Sequence, residues 1–207
     1  RHAGRPALNS ELTPRRLELR HARGTLLLRE PVVMGVLNIT PDSFSDGGRW
    51  LEPARAVEHA QQLLAEGAAI VDVGGESTRP GAAAVSVEEE LRRVIPVVRE
   101  LARDSGMLIS VDTSRPEVIE QAVAAGAAMI NDVRALQRRG ALAALARSGA
   151  AACLMHMRGE PSTMQQSAQY TDVVAEVRAL LAARLAACQE AGIASERLCI
   201  DPGFGFG

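Results

Sequence analysis

The chain has 207 residues, 47% of them hydrophobic and 23% charged, a composition that builds one domain with a sizeable core and excludes disorder. A formal net charge of -2 and an aromatic content of 2% argue against nucleic-acid and anionic-membrane partners, which call for a positive excess and for stacking side chains. Cys153, Cys188 and Cys199 are odd in number and show no C-x-x-C spacing, so neither a disulfide framework nor a zinc site is expected and a reducing cytoplasm fits.

No apolar run reaches the roughly 18 residues of a membrane span, and no signal-peptide core follows the start. The chain begins at Arg1 without methionine, which suggests a fragment or a processed end. Residues 1–30 carry an excess of arginine over Glu11, Glu18 and Glu30. They read as a solvated arm and then two short strands, 17–20 and 25–28, around an Arg23-Gly24 turn that closes one end of the core. Residues 31–207 form the main domain.

From Val32 onward one unit repeats: a short apolar strand, a polar loop, an amphipathic helix and a turn back. The strands read as 32–37, 70–73, 108–111, 129–131, 152–155 and 198–200, and the helices as 53–65, 87–103, 115–125, 138–148 and 171–191. The first strand stops at Asn38, and Pro41 to Gly48 are turn formers. About a dozen residues pass before Pro53 opens the first helix, longer than the usual βα loop of about 2 to 6, so this loop is a candidate lid. Ser86 with Glu89 and Ser114 with Glu117 are spaced as capping boxes, and Leu91, Val94, Ile95, Val98 and Leu101 form one apolar stripe. Gly67, Gly126 and Gly149 each precede a pair of alanines and then a strand, as left-handed helix ends do.

Strands alternating with helices specify a parallel α/β sheet, either a (β/α)8 barrel or a doubly wound open sheet. No G-x-G-x-x-G follows the first strand, which removes the commonest dinucleotide-binding version of the open sheet. Each strand ends in a hydrogen-bonding group: Asn38, Asp72, Asp112, Asn131 with Asp132, His156 and Asp201. A barrel gathers all such ends at one mouth, whereas an open sheet gathers only those at its switch point, so the barrel is favoured. Taken singly, Asp72, Asp132 and His156 also fit local caps or a satisfied core histidine. Cys153 and Cys199 read as small apolar filling. Asp112, Asn131 and Asp201 offer acceptors for a flat ligand edge of adjacent N–H donors, such as a 2-amino-4-oxo-pyrimidine. Glycines in 74–75 and 203–207 leave backbone amides open to a ligand.

The stretches L-N-I-T-P-D-S-F-S-D-G-G at 37–48, D-V-G-G-E-S-T-R-P-G at 72–81, V-D-T at 111–113, N-D-V at 131–133, L-M-H-M at 154–157 and D-P-G-F-G-F-G at 201–207 follow one another in the order of the bacterial dihydropteroate synthase family, which the chain resembles. The first two are signatures of that family. The resemblance implies a TIM barrel of which this chain holds the first six βα units. It also implies an enzyme joining 6-hydroxymethyl-7,8-dihydropterin diphosphate to 4-aminobenzoate, with release of diphosphate, in folate synthesis and under competition by sulfonamides. By position, Asp112, Asn131, Val133, Met155 and Asp201 would hold the pterin, and Thr78, Arg79 and Phe206, with Pro80, would frame the aminobenzoate. Phe44, Asp46 and Pro80 would close over the reacting atoms, and Asn38 would help bind Mg2+. A homodimer and a cytoplasmic location are implied as well. The family pattern continues past Gly207 with a lysine and two further strands bearing basic motifs, so a truncated chain is expected. A methyltetrahydrofolate-type pterin barrel and a non-catalytic homologue are the rival readings; Phe44 and Asp46 argue against the first.

Overall fold

The computed structural model describes residues 17–39, 48–76, 85–103, 106–159, 164 and 169–206. Strands β1 (Leu17–His21) and β2 (Gly24–Leu28) pair as an antiparallel hairpin. Then β3 (Val33–Asn38), β4 (Ala68–Gly74), β5 (Leu108–Asp112), β6 (Met129–Asp132), β7 (Ala151–Met155) and β8 (Leu198–Asp201) form one parallel sheet in chain order. Helices α1 (Gly48–Ala65), α2 (Val87–Leu101), α3 (Pro116–Ala125), α4 (Ala141–Ser148) and α5 (Val173–Glu190) make the crossovers. No helix of the described residues is long and apolar enough to cross a membrane.

Four helix starts differ from the sequence reading: α3, α4 and α5 begin at Pro116, Ala141 and Val173 rather than at 115, 138 and 171, and α1 differs most. Helix α1 begins at Gly48, not at Pro53, which lies inside it; proline keeps a helical φ and gives up one ladder hydrogen bond. The connecting loop is correspondingly shorter, and residues 40–47 of it lie outside the described residues. Ser86 caps α2, accepting from Glu89 N at 3.2 Å. Ser114 does not cap α3: the N-cap is Arg115, without a side-chain bond, and the Ser114 hydroxyl donates to Asp132 instead. Pro116 opens that helix and has no N–H to be capped. Gly67, Gly126 and Gly149 take φ of 106°, 118° and 74°, the left-handed helix ends that the sequence implied.

Register-paired positions on parallel strands share a face, and alternate positions face apart. Leu37, Val73, Val111, Ile130 and Ala152 pair in one row and pack against Val94, Val98, Ile119, Leu145 and other helix residues. Ile109, Ile130, Leu145 and Leu154 are fully buried there, and each such side chain contributes about 1.5 to 3 kcal/mol. The opposite, inner face begins with Ile70, Leu108, Met129 and Ala151, which cluster with Leu19, Leu26 and Leu28 of the hairpin. The hairpin thus covers the amino end of the inner face and leaves its carboxyl end for polar groups.

Candidate active site

One row of the inner face crosses all six strands: Asn38, Gly74, Asp112, Asn131, Cys153 and Cys199 are register partners in succession. The row toward the hairpin holds Val36, Asp72, Ser110, Met129 and Ala151. Above the long row, Met155 pairs with Asp201. Gly74 opens the row on its first side, because a Cβ there would stand 3.3 Å from Asn38 Oδ1 and 3.9 Å from Asp112 Oδ2. The amide oxygen of Asn38 and the carboxylate of Asp112 therefore flank Gly74, where an added Cβ would sit tight against Asn38 and in ordinary contact with Asp112.

Asn131 Nδ2 donates to Asp72 Oδ2 at 2.9 Å. Asn131 Oδ1 is buried without a hydrogen-bond partner among the described residues, while the Ser110 hydroxyl hydrogen-bonds the Asp72 carboxylate beside it. Buried acceptors without donors cost roughly 1 to 3 kcal/mol each, so such a group calls for a ligand or a functional role. Burial pushes the Asp72 carboxyl up, against smaller opposing effects of Ser110 and Asn131. Asp112 is held well above the ordinary 3.8, first by burial and then by the negative charges of Asp72, Asp132, Glu90 and Glu76. Among the described residues the inner face is thus rich in acceptors and short of positive charge, an environment that favours a ligand bearing N–H donors.

Asp201 ends β8, and its Oδ1 accepts from Gly203 N at 2.8 Å. His156 N donates to the Asp201 carbonyl at 2.9 Å, which ties the ends of β7 and β8 together. Gly203 has φ 70°, and a Cβ on it would come within 2.0 Å of the His156 carbonyl oxygen. Phe206 lies beyond this turn, its carbonyl accepting from Arg158 N at 3.2 Å. Val133 and Met155 are buried, at 5% and 4% exposure; Met155 stands on the inner face beside Asp201, and Val133 directly follows β6. Phe44, Asp46, Thr78, Arg79 and Pro80 lie outside the described residues.

Two strand-end groups serve the scaffold. Asp132 pairs in register with Leu154, on the helix-facing side. It accepts from Ser114 Oγ, from Arg134 N at 2.8 Å and from Leu136 N at 2.8 Å, holding a turn in which Ala135 and Leu136 take φ of 48° and 58°. His156 is buried beside Tyr170, ring centroids 6.0 Å apart, and burial followed by the nearby Arg158 lowers its pKa. Asp72, by contrast, belongs to the inner face although the sequence reading did not include it among the ligand contacts. Its signal was an aspartate inside the apolar run A-A-I-V-D-V-G, where a charge is costly without a purpose.

Around the second loop, Arg115 is buried at 6% exposure. Its Nε stands 3.1 Å from Glu90 Oε2 and its Nη2 3.5 Å from Glu76 Oε1, and Nη2 also donates to the Val85 carbonyl. Val85 N in turn donates to Glu76 Oε1 at 3.3 Å. One guanidinium therefore fixes the last described residue before the 77–84 segment and the first one after it. Nothing in the sequence near Arg115 signalled this, because its partners come from other βα units.

Among the described residues no group of three or more His, Cys, Asp or Glu could hold a metal ion. What the rim does offer is an uncharged oxygen, Asn38 Oδ1, beside Gly74. Such a donor suits Mg2+, which keeps water ligands and binds through one or two protein oxygens plus the phosphates of a substrate.

Residues 34–207 match the family described as pterin binding enzyme. The chain is 57% identical over 187 residues to the dihydropteroate synthase of Escherichia coli K12, an alignment covering 90% of this chain and 66% of that relative. Two solved structures align closely. One is Xanthomonas albilineans dihydropteroate synthase with 4-aminobenzoic acid, at a TM-score of 0.85 and 53% identity, covering 93% of this chain and 68% of that one. The other is Burkholderia cenocepacia dihydropteroate synthase with 7,8-dihydropteroate, at a TM-score of 0.81 and 45% identity, covering 93% and 65%. The chain thus spans just under two thirds of the length of the curated relative, and its six parallel strands are part of a TIM barrel.

Proposed function

Because the chain belongs to the pterin-binding enzyme family, we propose that the protein it represents is a dihydropteroate synthase, condensing 6-hydroxymethyl-7,8-dihydropterin diphosphate with 4-aminobenzoate to give 7,8-dihydropteroate and diphosphate in folate synthesis. The observation that carries this reading is the acceptor cluster of the inner face, with Asp112 and Asn131 adjacent in register and Asn131 Oδ1 buried without a donor among the described residues. A pterin edge presents neighbouring N–H groups that such acceptors bind in pairs.

In this reading Asp112, Asn131 and Asp201 hold the pterin edge while Met155 and Val133 pack against its faces. Asp72 orients Asn131 through their 2.9 Å bond. Asn38 would hold Mg2+ together with oxygens of the diphosphate. The ion's contribution there is to neutralise charge on the departing diphosphate. Loss of diphosphate leaves an electron-poor exocyclic carbon conjugated with the pterin, and the surrounding carboxylates favour that positive charge. A neutral arylamine attacks it, so the residues must order the amine and exclude water more than remove a proton. Phe44, Asp46 and Pro80 are assigned to that closure, and Thr78, Arg79 and Phe206 to framing the aminobenzoate. Sulfonamides would compete there. A homodimer and a cytoplasmic location complete the proposal.

The test is formation of dihydropteroate from the two substrates with Mg2+, on purified protein carrying all eight βα units, alongside pterin binding by calorimetry. Pterin binding with no product from aminobenzoate would redirect the reading to another pterin-dependent transfer. No pterin binding would remove the assignment of the acceptor cluster.

A further inference from the structure

The inner-face row that holds Asp112 and Asn131 continues through two cysteines. Cys153 is the register partner of Asn131, and Cys199 is the register partner of Cys153. Both side chains therefore leave neighbouring strands toward the interior, next to the acceptors. Both pack in the cluster with Met129 and Ala151, Cys153 at 8% exposure and Cys199 half-buried. Cys188, the third thiol, is buried on the helix side, near the end of α5.

We propose that Cys153 and Cys199 form a dithiol site on the inner face beside Asn131 that captures trivalent arsenicals across both sulfurs, and that capture there excludes the pterin. The first half stands on the strand geometry alone; the second rests on the pterin reading above.

Geometry selects a bridged product over a direct disulfide. Side chains on adjacent in-register strands start about 4.8 Å apart, whereas a relaxed disulfide brings the Cβ atoms to about 3.8 Å. A bridging atom fills that gap with less bending of β7 and β8. In the capture step, an organoarsenic oxide exchanges its arsenic–oxygen double bond for two arsenic–sulfur bonds. The oxygen leaves as water with the two thiol protons, and neither arsenic nor sulfur changes oxidation state.

The thiols differ in readiness. Neutral Cys199 Sγ reaches the Ala152 carbonyl at 3.5 Å. As a thiolate it accepts from Cys153, which holds Cys199 below the ordinary thiol value, while the same bond and burial push Cys153 up. Cys199 is half-buried where Cys153 is 8% exposed, so the reagent reaches Cys199 first and Cys153 closes the bridge.

The experiment treats the full chain with phenylarsine oxide and reads intact mass. The expected product is one arsenical per chain, heavier by the reagent less one water, stable to excess glutathione and removed by dimercaptopropanol. Cys199→Ser and Cys153→Ser should each lose the glutathione-stable adduct, and Cys188→Ser should keep it. Absence of that adduct on the parent chain, or its survival in Cys199→Ser, would overturn the dithiol site. In the parent chain, saturation with the pterin diphosphate should slow capture, and the captured protein should no longer bind pterin in calorimetry. Capture with unchanged pterin affinity would sink the exclusion while leaving the dithiol in place. Failure of the pterin reading itself shows separately, as no pterin binding by the untreated chain.

Discussion

Asn131 Nδ2 donates to Asp72 Oδ2 across 2.9 Å, a bond that joins two rows of the inner face and two strands that are not neighbours in the sheet. It fixes which way the Asn131 amide points: with the nitrogen committed to Asp72, the oxygen is left as an acceptor toward the pocket. Asp72→Ala should free the amide to rotate and weaken pterin binding by about 1 to 3 kcal/mol. Calorimetry on folded variant and parent decides it, and equal affinities would show that Asp72 does not set the Asn131 orientation.

Asp112 carries a stability cost that is visible as a function of pH. Its folded pKa lies well above the ordinary 3.8 through burial and neighbouring carboxylates, so the folded chain binds a proton there more tightly than the unfolded chain does. Its contribution to stability is fully present below the ordinary value and declines as pH rises toward the folded one. Asp112→Asn should therefore be more stable than the parent at neutral pH, by about 2 to 4 °C in melting temperature for each kcal/mol of strain relieved. The gain should vanish below about pH 4. The same variant should lose pterin affinity, because a donor replaces an acceptor; melting curves across pH and calorimetry read the two effects separately.

The Arg115–Glu90 pair should behave as a buried ion pair whose halves are costly alone. Glu90 is 1% exposed, and its guanidinium partner stands 3.1 Å away. Arg115→Met should lose about 3 to 5 kcal/mol in urea unfolding, since it leaves a buried carboxylate without a counter-charge. Adding Glu90→Leu should recover part of that loss. A double variant as unstable as the two single losses summed would mean that the two side chains act independently.

Gly203 should tolerate no side chain. At φ 70°, with a Cβ within 2.0 Å of the His156 carbonyl oxygen, Gly203→Ala has to displace the turn whose Gly203 N donates to Asp201 Oδ1. A loss of about 2 to 4 kcal/mol in stability is expected, together with weaker pterin binding. Parent-like values for both would show that the turn relaxes without moving Asp201.

Much of this was legible because it is local. Alternating apolar runs and amphipathic stripes place β3 to β8 and α1 to α5 within a few residues, since strand and helix periods differ along the chain itself. Ser86 capping α2 and glycine at positions 67, 126 and 149 are also short-range chemistry. Where the reading differed, a distant partner had intervened. Ser114 was free to cap α3 until Asp132, on another strand, took its hydroxyl.

What the sequence by itself determined is the order of the βα units, the polar group at each strand's carboxyl end and the motifs that carry the family resemblance. Only the tertiary structure decided which of those polar groups face one another. A strand's side chains alternate between faces, so a single step in register separates a pocket residue from a scaffold residue. That step puts Asn131 and Asp112 on the inner face and Asp132 beneath the helices. The same alignment brings Asp72 under Asn131, Arg115 between Glu76 and Glu90, and Cys199 beside Cys153. Each of these contacts joins segments far apart in the chain, and no local pattern specifies a partner that only the closing of the sheet supplies.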